Sequence, residues 1–495
     1  MFENVSAEGE QIPRRFPFEL LRRFKDKPVL SIVWLAGGAV LGQGVVVLSS
    51  PFLSRLYRPE DFGILGVYVS LLGIFSVVAG GRYELAIPLP EREEEAEGLL
   101  KLSLGFVLLT TLITALFVLF ASRPLATLVG APSLAPFLWL LPVGVLFSGT
   151  YQGLSYLLLR RKGFPLIART RVFQGGGMSG VQILLGALKI RPLGLLLGQI
   201  VGQGAGITSL WRVVRKTPHE RIQPSPSMAS LAKRYSRFPR LSTWGGLFNV
   251  LSMQFPVLLL SAFFGPTVTG LYALGLRVLQ TPLILFGNAI GQVFFSEAAQ
   301  ARREGRLVEV VEKGFSRLLP LGFSLLLPLA VTAPDIFSLV FGSPWKTAGV
   351  YAQMLVPWLL LVFINSPLST LTTVLERQDG EIFFQGSLLG IRLGALFLGK
   401  YFGGATAALG AFAAVSALWW GGFTIWNLGL VNVGITKIGK LFLKALLPLL
   451  PFLFLLVILK TAYPSGNGRD ILLLIFTVIT IIFGLYREGR RIIRG

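Results

Sequence analysis

The chain has 495 residues, of which 53% are hydrophobic and only 14% charged. With a mean hydropathy of +0.69, it carries more apolar surface than a soluble protein buries, so its solvent is the lipid bilayer. Its 46 basic against 24 acidic residues give a net charge of +22, but the bases are spread through connecting segments rather than gathered on one soluble face, which excludes a nucleic-acid partner.

Residues 1–28 are polar and hold Arg14, Arg15, Arg22, Arg23, Lys25 and Lys27 ahead of a full-length apolar segment. They are expected to form a cytoplasmic leader rather than a cleaved signal. Apolar runs long enough to cross a bilayer, about 20 residues each, then lie near 29–53, 62–87, 98–121, 133–158, 172–189 and 192–211. A Pro/Ser-rich stretch with Pro218, Pro224, Pro226 and Pro239 follows. A second series lies near 240–263, 270–294, 316–341, 348–375, 382–400 and 404–427, and two further runs near 441–460 and 470–486.

The expected fold is therefore all-α and polytopic, with about fourteen transmembrane helices. It divides into a six-helix bundle at 29–212, a cytoplasmic linker at 213–239, a second six-helix bundle at 240–427, two additional helices at 441–486 and a basic tail at 487–495. Lys and Arg concentrate on one side of this arrangement, in Arg160, Arg161 and Lys162, in the linker, in Arg302, Arg303 and Arg306, and in the tail. That side is assigned to the cytoplasm, with both termini inside and anionic membrane lipids as natural partners.

The two six-helix series are related. At an offset of 207 residues, Leu53, Ser54, Pro59 and Gly63 match Leu260, Ser261, Pro266 and Gly270, flanked by Gly38/Gly245 and Gly80/Gly287. A weaker echo pairs Leu141-Pro142, Leu159 and Arg161 with Val356-Pro357, Leu375 and Arg377. Six spans separate the copies, so both run in the same direction through the membrane and are related by an axis along its normal, a transporter design.

Charge inside a membrane helix is costly and faces protein or a wet cavity. Arg277 and Arg392 stand out on that ground. A guanidinium keeps its charge and offers bidentate donors to a phosphate group. A structural partner or a snorkelling position is the alternative for each. Arg82 and Glu84, in the GGRYELAI run, sit at the expected cytoplasmic end of the second span, where a headgroup or sugar could enter or where an ion pair could hold the helix end. Pro59, Glu60 and Asp61 suit the start of that span by capping and dipole logic. Amides within the spans, Gln43, Asn249, Asn288 and Gln292 among them, have the donors and acceptors to line a sugar cavity. The same is true of Gln174, Gln199, Gln203, Gln254 and Asn365, and hydrogen bonding between packed helices is an equal use for any of them.

Enzymatic and cofactor chemistry find no footing. There is no cysteine, no triad and no phosphate-cradling loop, and the lone histidine, His219, reads as an exposed bystander in the linker. No metal and no cofactor are expected. Glu84, Asp335 and Glu376 all lie toward span ends, so the mid-span carboxylate of a cation-coupled exporter is missing.

The run from Ser50 to Pro90, SPFLSRLYRPEDFGILGVYVSLLGIFSVVAGGRYELAIPLP, resembles the first hairpin of the Wzx-type oligosaccharide (O-antigen) flippases, in the polysaccharide transporter family of the multidrug/oligosaccharidyl-lipid/polysaccharide superfamily. The fourteen-span pattern is similar to that family across nearly the whole chain. The resemblance implies a V-shaped pair of bundles in the bacterial inner membrane. Its implied cargo is an undecaprenyl-diphosphate-linked oligosaccharide moved outward for surface polysaccharide biosynthesis, with polysaccharide polymerase machinery as a candidate partner. A cation-coupled multidrug exporter and a membrane glycosyltransferase or polymerase are the competing classes.

Overall fold

In lipid every backbone N–H and C=O must find its partner within the protein, and a helix meets that demand within one segment. The computed structural model describes residues 28–216, 227–375 and 377–494, and all regular structure among them is helical. In chain order the helices are α1 (Pro28–Leu56), α2 (Pro59–Val78), α3 (Glu93–Leu128), α4 (Leu140–Arg160), α5 (Phe164–Ala187), α6 (Leu193–Gly204), α7 (Ile207–Lys216) and α8 (Met228–Arg234). They continue as α9 (Thr243–Arg303), α10 (Leu307–Phe341), α11 (Lys346–Leu368), α12 (Thr370–Val374), α13 (Gln378–Gly429), α14 (Ile435–Leu446), α15 (Leu450–Ala462) and α16 (Asn467–Arg494). His219 and Glu376 lie outside the described residues.

Among the described residues, ten segments are long and apolar enough to span a membrane. Two of these are too long to be one span. Phe238–Leu283 has 46 residues, about 70 Å as a straight helix, against a hydrocarbon core of about 30 Å. The chain reverses at Gly265, whose φ of 80° and ψ of 175° leave the helical region. Phe383–Gly429 breaks in the same way at Gly403 and Gly404, the latter at φ 70°. Both breaks fall where the sequence places a short turn between spans. α4 and α5 are full-length helices outside the ten; Arg169 and Arg171 and the triplet Gly175-Gly176-Gly177 in α5 lower its apolarity.

The second span is shorter than the sequence suggests. α2 starts at Pro59, where the Asp61 carboxylate accepts a hydrogen bond from the Arg58 backbone N–H at 2.8 Å, as the capping reading expects. It ends at Val78 rather than near residue 87. Gly81 and Arg82 both adopt φ of 60°, a left-handed step that stops the helix, and Tyr83–Ala86 form a 3-10 turn.

The two repeats touch through the residues that match. A Cβ on Gly63 would collide with the carbonyl of Pro266, and a Cβ on Gly270 with the carbonyl of Pro59. These four positions are two pairs at the 207-residue offset. The next pair, Ser54 and Ser261, is engaged through its carbonyls in both repeats. The Trp345 indole Nε1 donates to the Ser54 carbonyl at 3.0 Å, while Gly130, at φ 67°, packs against the Ser261 carbonyl. Phe62 meets the Trp345 ring edge-on at 4.9 Å. A contact in which i meets j while the partner's i meets j in return is the signature of two-fold symmetry.

The last helices dock by charge as well as by shape. Asp335, 5% exposed near the end of α10, accepts from Arg469 of α16 at 2.7 Å and pairs with Lys460 of α15 at 3.1 Å. Thr332 and Thr477 share a hydrogen bond at 3.0 Å, and Gly484 sits directly on Ser324.

Two expectations follow. Gly63→Leu overpacks the reciprocal contact and lowers stability by about 1–3 kcal/mol, read as a lower thermal midpoint in detergent, whereas Gly105→Leu, where no neighbour lies within 4 Å, leaves it unchanged. Asp335→Ala strands Arg469 and Lys460 and destabilises by about 3 kcal/mol; the triple exchange of Asp335, Arg469 and Lys460 to leucine recovers most of that loss in the same assay.

Candidate functional site

Arg392 lies in the first limb of α13, opposite the second limb that returns after Gly404. Its Nε donates to Ser416 Oγ at 2.9 Å. Its guanidinium carbon stands 4.6 Å from the centre of the Trp358 ring and 5.1 Å from that of Phe412. Phe412 in turn meets Trp358 edge-on at 5.4 Å and Tyr272 at 6.5 Å. Aromatic faces supply negative potential without accepting the N–H bonds, so the charge is held while donors stay open. One terminal nitrogen is buried with no hydrogen-bond partner, and no carboxylate pairs with the group among the described residues.

Arg277 lies in α9, five residues beyond Tyr272, and is half-buried. Among the described residues its guanidinium has neither a hydrogen bond nor an ion pair. The two arginines are not joined by any hydrogen bond or ring contact among those residues. They are related through Tyr272, which shares a helix with Arg277 and an aromatic contact with the Arg392 cage.

Arg82 and Glu84 do not pair with each other, which corrects the ion-pair alternative. The two side chains turn to different neighbours. The Arg82 guanidinium lies against Gly246 of α9, so closely that a Cβ there would overlap it, and its Nε is buried without a partner. Glu84 is 1% exposed, beside Ser103 and Gly80, with both carboxylate oxygens unpartnered. Arg82 is thus a first-repeat cation placed on a second-repeat helix.

The amides divide. Gln43 and Asn249 are exposed and stand apart from the Arg392 cage; the side chains of Asn288 and Gln292 lie outside the described residues. Gln254 accepts from Ser70 at 3.0 Å, joining α9 to α2. Asn365 donates to the Trp420 carbonyl at 3.3 Å, so both serve helix packing. Sequence reasoning missed Trp358, Phe412, Ser416 and Tyr272. Phe412 and Ser416, four apart on one helix face, were the available signal, but their pairing with Arg392 depends on the fold-back at Gly404.

Burial, the largest effect, holds the Glu84 carboxyl above the ordinary carboxylate range, with the nearby Arg82 charge opposing. The folded chain therefore binds this proton more tightly than the unfolded chain. The stability it supports is complete below the ordinary carboxylate pKa and is lost as pH rises through the higher folded value. Glu84→Gln, neutral at every pH, is expected to flatten that part of the pH dependence and to raise the thermal midpoint at pH 8 relative to the unchanged chain.

Comparison with known proteins shows the family and the fold. Residues 52–349 match the model of a family described as polysaccharide biosynthesis protein. The succinoglycan biosynthesis transport protein ExoT of Rhizobium meliloti (strain 1021) is 25% identical over 354 residues, covering 70% of this chain and 68% of that protein. Among solved structures, the lipid II flippase MurJ in an inward closed conformation aligns with a TM-score of 0.69 at 12% identity, covering 94% of this chain and all of that one. The MATE multidrug transporter DinF-BH aligns at 0.57 and 15% identity, covering 86% of this chain and 98% of that one. At such identities the structural likeness speaks for the fold, which flippases and drug exporters share.

Proposed function

We propose that this chain, which belongs to the polysaccharide biosynthesis protein family and is a flippase-type membrane transporter rather than an enzyme, carries a polyprenyl-diphosphate-linked oligosaccharide from the cytoplasmic to the external leaflet. The single observation that carries this reading is the Arg392 cage: a permanent cation in the membrane-spanning region, steadied by Ser416 and two aromatic rings, with donors left open and no acidic partner among the described residues. An anionic headgroup satisfies such a group; a cationic drug does not. Asp335 is already engaged by Arg469 and Lys460, so it offers no free carboxylate to a cation.

In this reading Arg392 and Arg277 bind the diphosphate between the two six-helix bundles, 29–212 and 240–427, while the lipid tail stays in the bilayer. Arg82, reaching from the first repeat to Gly246 of the second, marks the entry on the cytoplasmic side. Exposed amides such as Gln43 and Asn249 are available to sugar hydroxyls. The reciprocal contact of Gly63 and Gly270 closes the external side, and cargo release requires it to part, so transport proceeds by alternating access. The bacterial inner membrane with both termini cytoplasmic is the setting that the basic loops support, and polymerase machinery is a candidate consumer of the flipped product.

The test is flipping of a polyprenyl-diphosphate oligosaccharide in proteoliposomes by folded, purified protein. Arg392→Ala is expected to slow transport at least about tenfold, the scale of a lost charge-assisted hydrogen bond, and Arg277→Ala to do likewise. Normal flipping by both variants overturns the anion-binding role; export of cationic dyes with no flipping overturns the cargo.

A further inference from the structure

A second cationic site lies away from this cage, at the basic end of the first repeat. The ionic network near it shows why it is unusual. On that side of the membrane Arg160 and Arg161 share Glu93 at 2.9 and 2.5 Å, Arg161 also takes Glu97 at 2.7 Å, and Arg234 takes Glu95 at 2.9 Å. These contacts hold the start of α3, the α4–α5 turn and α8 together, and they occupy three carboxylates with arginines. Arg161 also reaches the Val214 carbonyl of α7 at 3.5 Å.

Next to this network, α5 and α7 diverge and leave a cleft of about 310 Å³. Arg169 and Arg212 face it from the two helices, with Ser209 beside them, and Leu166, Phe173 and Val213 form its apolar wall. Both arginines are exposed. Arg169 lies over the Phe173 ring at 5.2 Å and has no hydrogen bond or ion pair among the described residues; Arg212 has none either. Among the described residues no acidic side chain lines the cleft. Two guanidinium groups therefore converge on one space with no protein counter-charge among the described residues. Phe173, 46% exposed, and Val213, 39% exposed, present apolar surface beside them. The cleft opens at the ends of membrane helices, α7 closing the span Leu193–Arg215, which is where lipid phosphates stand.

We propose that this cleft is a binding site for the phosphate of an anionic phospholipid headgroup. Arg169 and Arg212 donate to the phosphate oxygens, Ser209 adds a hydroxyl, and the apolar wall seats the first methylenes of the acyl chain. The bound lipid supplies the counter-charge that α5 and α7 lack and ties them together at the membrane surface. This site is independent of the cargo reading, since neither arginine belongs to the Arg392 cage.

The experiment titrates the full-length protein, delipidated in a neutral detergent, with short-chain phosphatidylglycerol, phosphatidylcholine or inorganic phosphate, reading the thermal midpoint. A saturable rise with phosphatidylglycerol alone is expected. Half-saturation should move to about fivefold higher lipid for each arginine replaced in Arg169→Ala and Arg212→Ala, following the affinity contributed by one basic residue at an anionic surface. Lys101→Ala, an exposed cation on α3, should leave it unchanged. Equal shifts with phosphatidylcholine, or an unaltered response in the double variant, overturn the site. The same rise with inorganic phosphate reassigns it to a soluble anion and overturns the lipid. Both single variants differ from the unchanged chain only at exposed side chains, so their unfolding curves without lipid serve as the folding control. If instead the double variant loses cargo flipping in vesicles of phosphatidylcholine alone, the cleft serves cargo and the phospholipid assignment falls.

Discussion

The two repeats of this molecule meet at one close approach. Gly63 against the Pro266 carbonyl and Gly270 against the Pro59 carbonyl bring the backbones of two repeats into contact where no side chain intervenes. Among membrane helices there is no hydrophobic force to drive association, because lipid tails are as apolar as leucine. What remains is packing, and packing is strongest where glycine lets main chains meet. The contact is reciprocal, so it joins equivalent surfaces, and it lies at the start of α2 and just past the break in α9.

Charge follows from the same geometry. Arg160, Arg161 and Arg234 are paired with Glu93, Glu95 and Glu97, and the C-terminal helices are held by Asp335. Arg392 stands apart from this pattern because its partners are rings and one hydroxyl. Such partners stabilise the cation without consuming its donors, which suits the anion binding and release proposed for it. The aromatic cage therefore separates two tasks that a salt bridge would merge, holding the charge and neutralising it.

Much of this was legible in the residues. The apolar runs identified a membrane protein, the 207-residue offset identified the repeat, and the SPFLSRLYRPEDFG and GRYELAI runs carried the family resemblance that the match over residues 52–349 supports. The expected length of the second span was not legible, because apolar Leu85, Ala86 and Ile87 continue the hydropathy past the left-handed turn at Gly81 and Arg82. The number of spans is likewise not set by apolarity, since α5 carries arginines and glycines within a full-length helix. The division of labour among the amides was also hidden: Gln254 and Asn365 differ from Gln43 and Asn249 only in what the fold places beside them.

By itself the sequence determined the solvent, the secondary structure and which connecting segments carry the basic residues. Those depend on local properties, twenty apolar residues at a time and the placement of Lys and Arg, that each segment expresses without its neighbours. Only the tertiary structure decided which charges are neutralised. The Arg392 cage draws on residues 358, 412 and 416, and the Arg169–Arg212 cleft on two helices separated by a third. An arginine's need for a partner is written in its chemistry, but whether a carboxylate, a ring or an open space meets it depends on how far-apart helices cross.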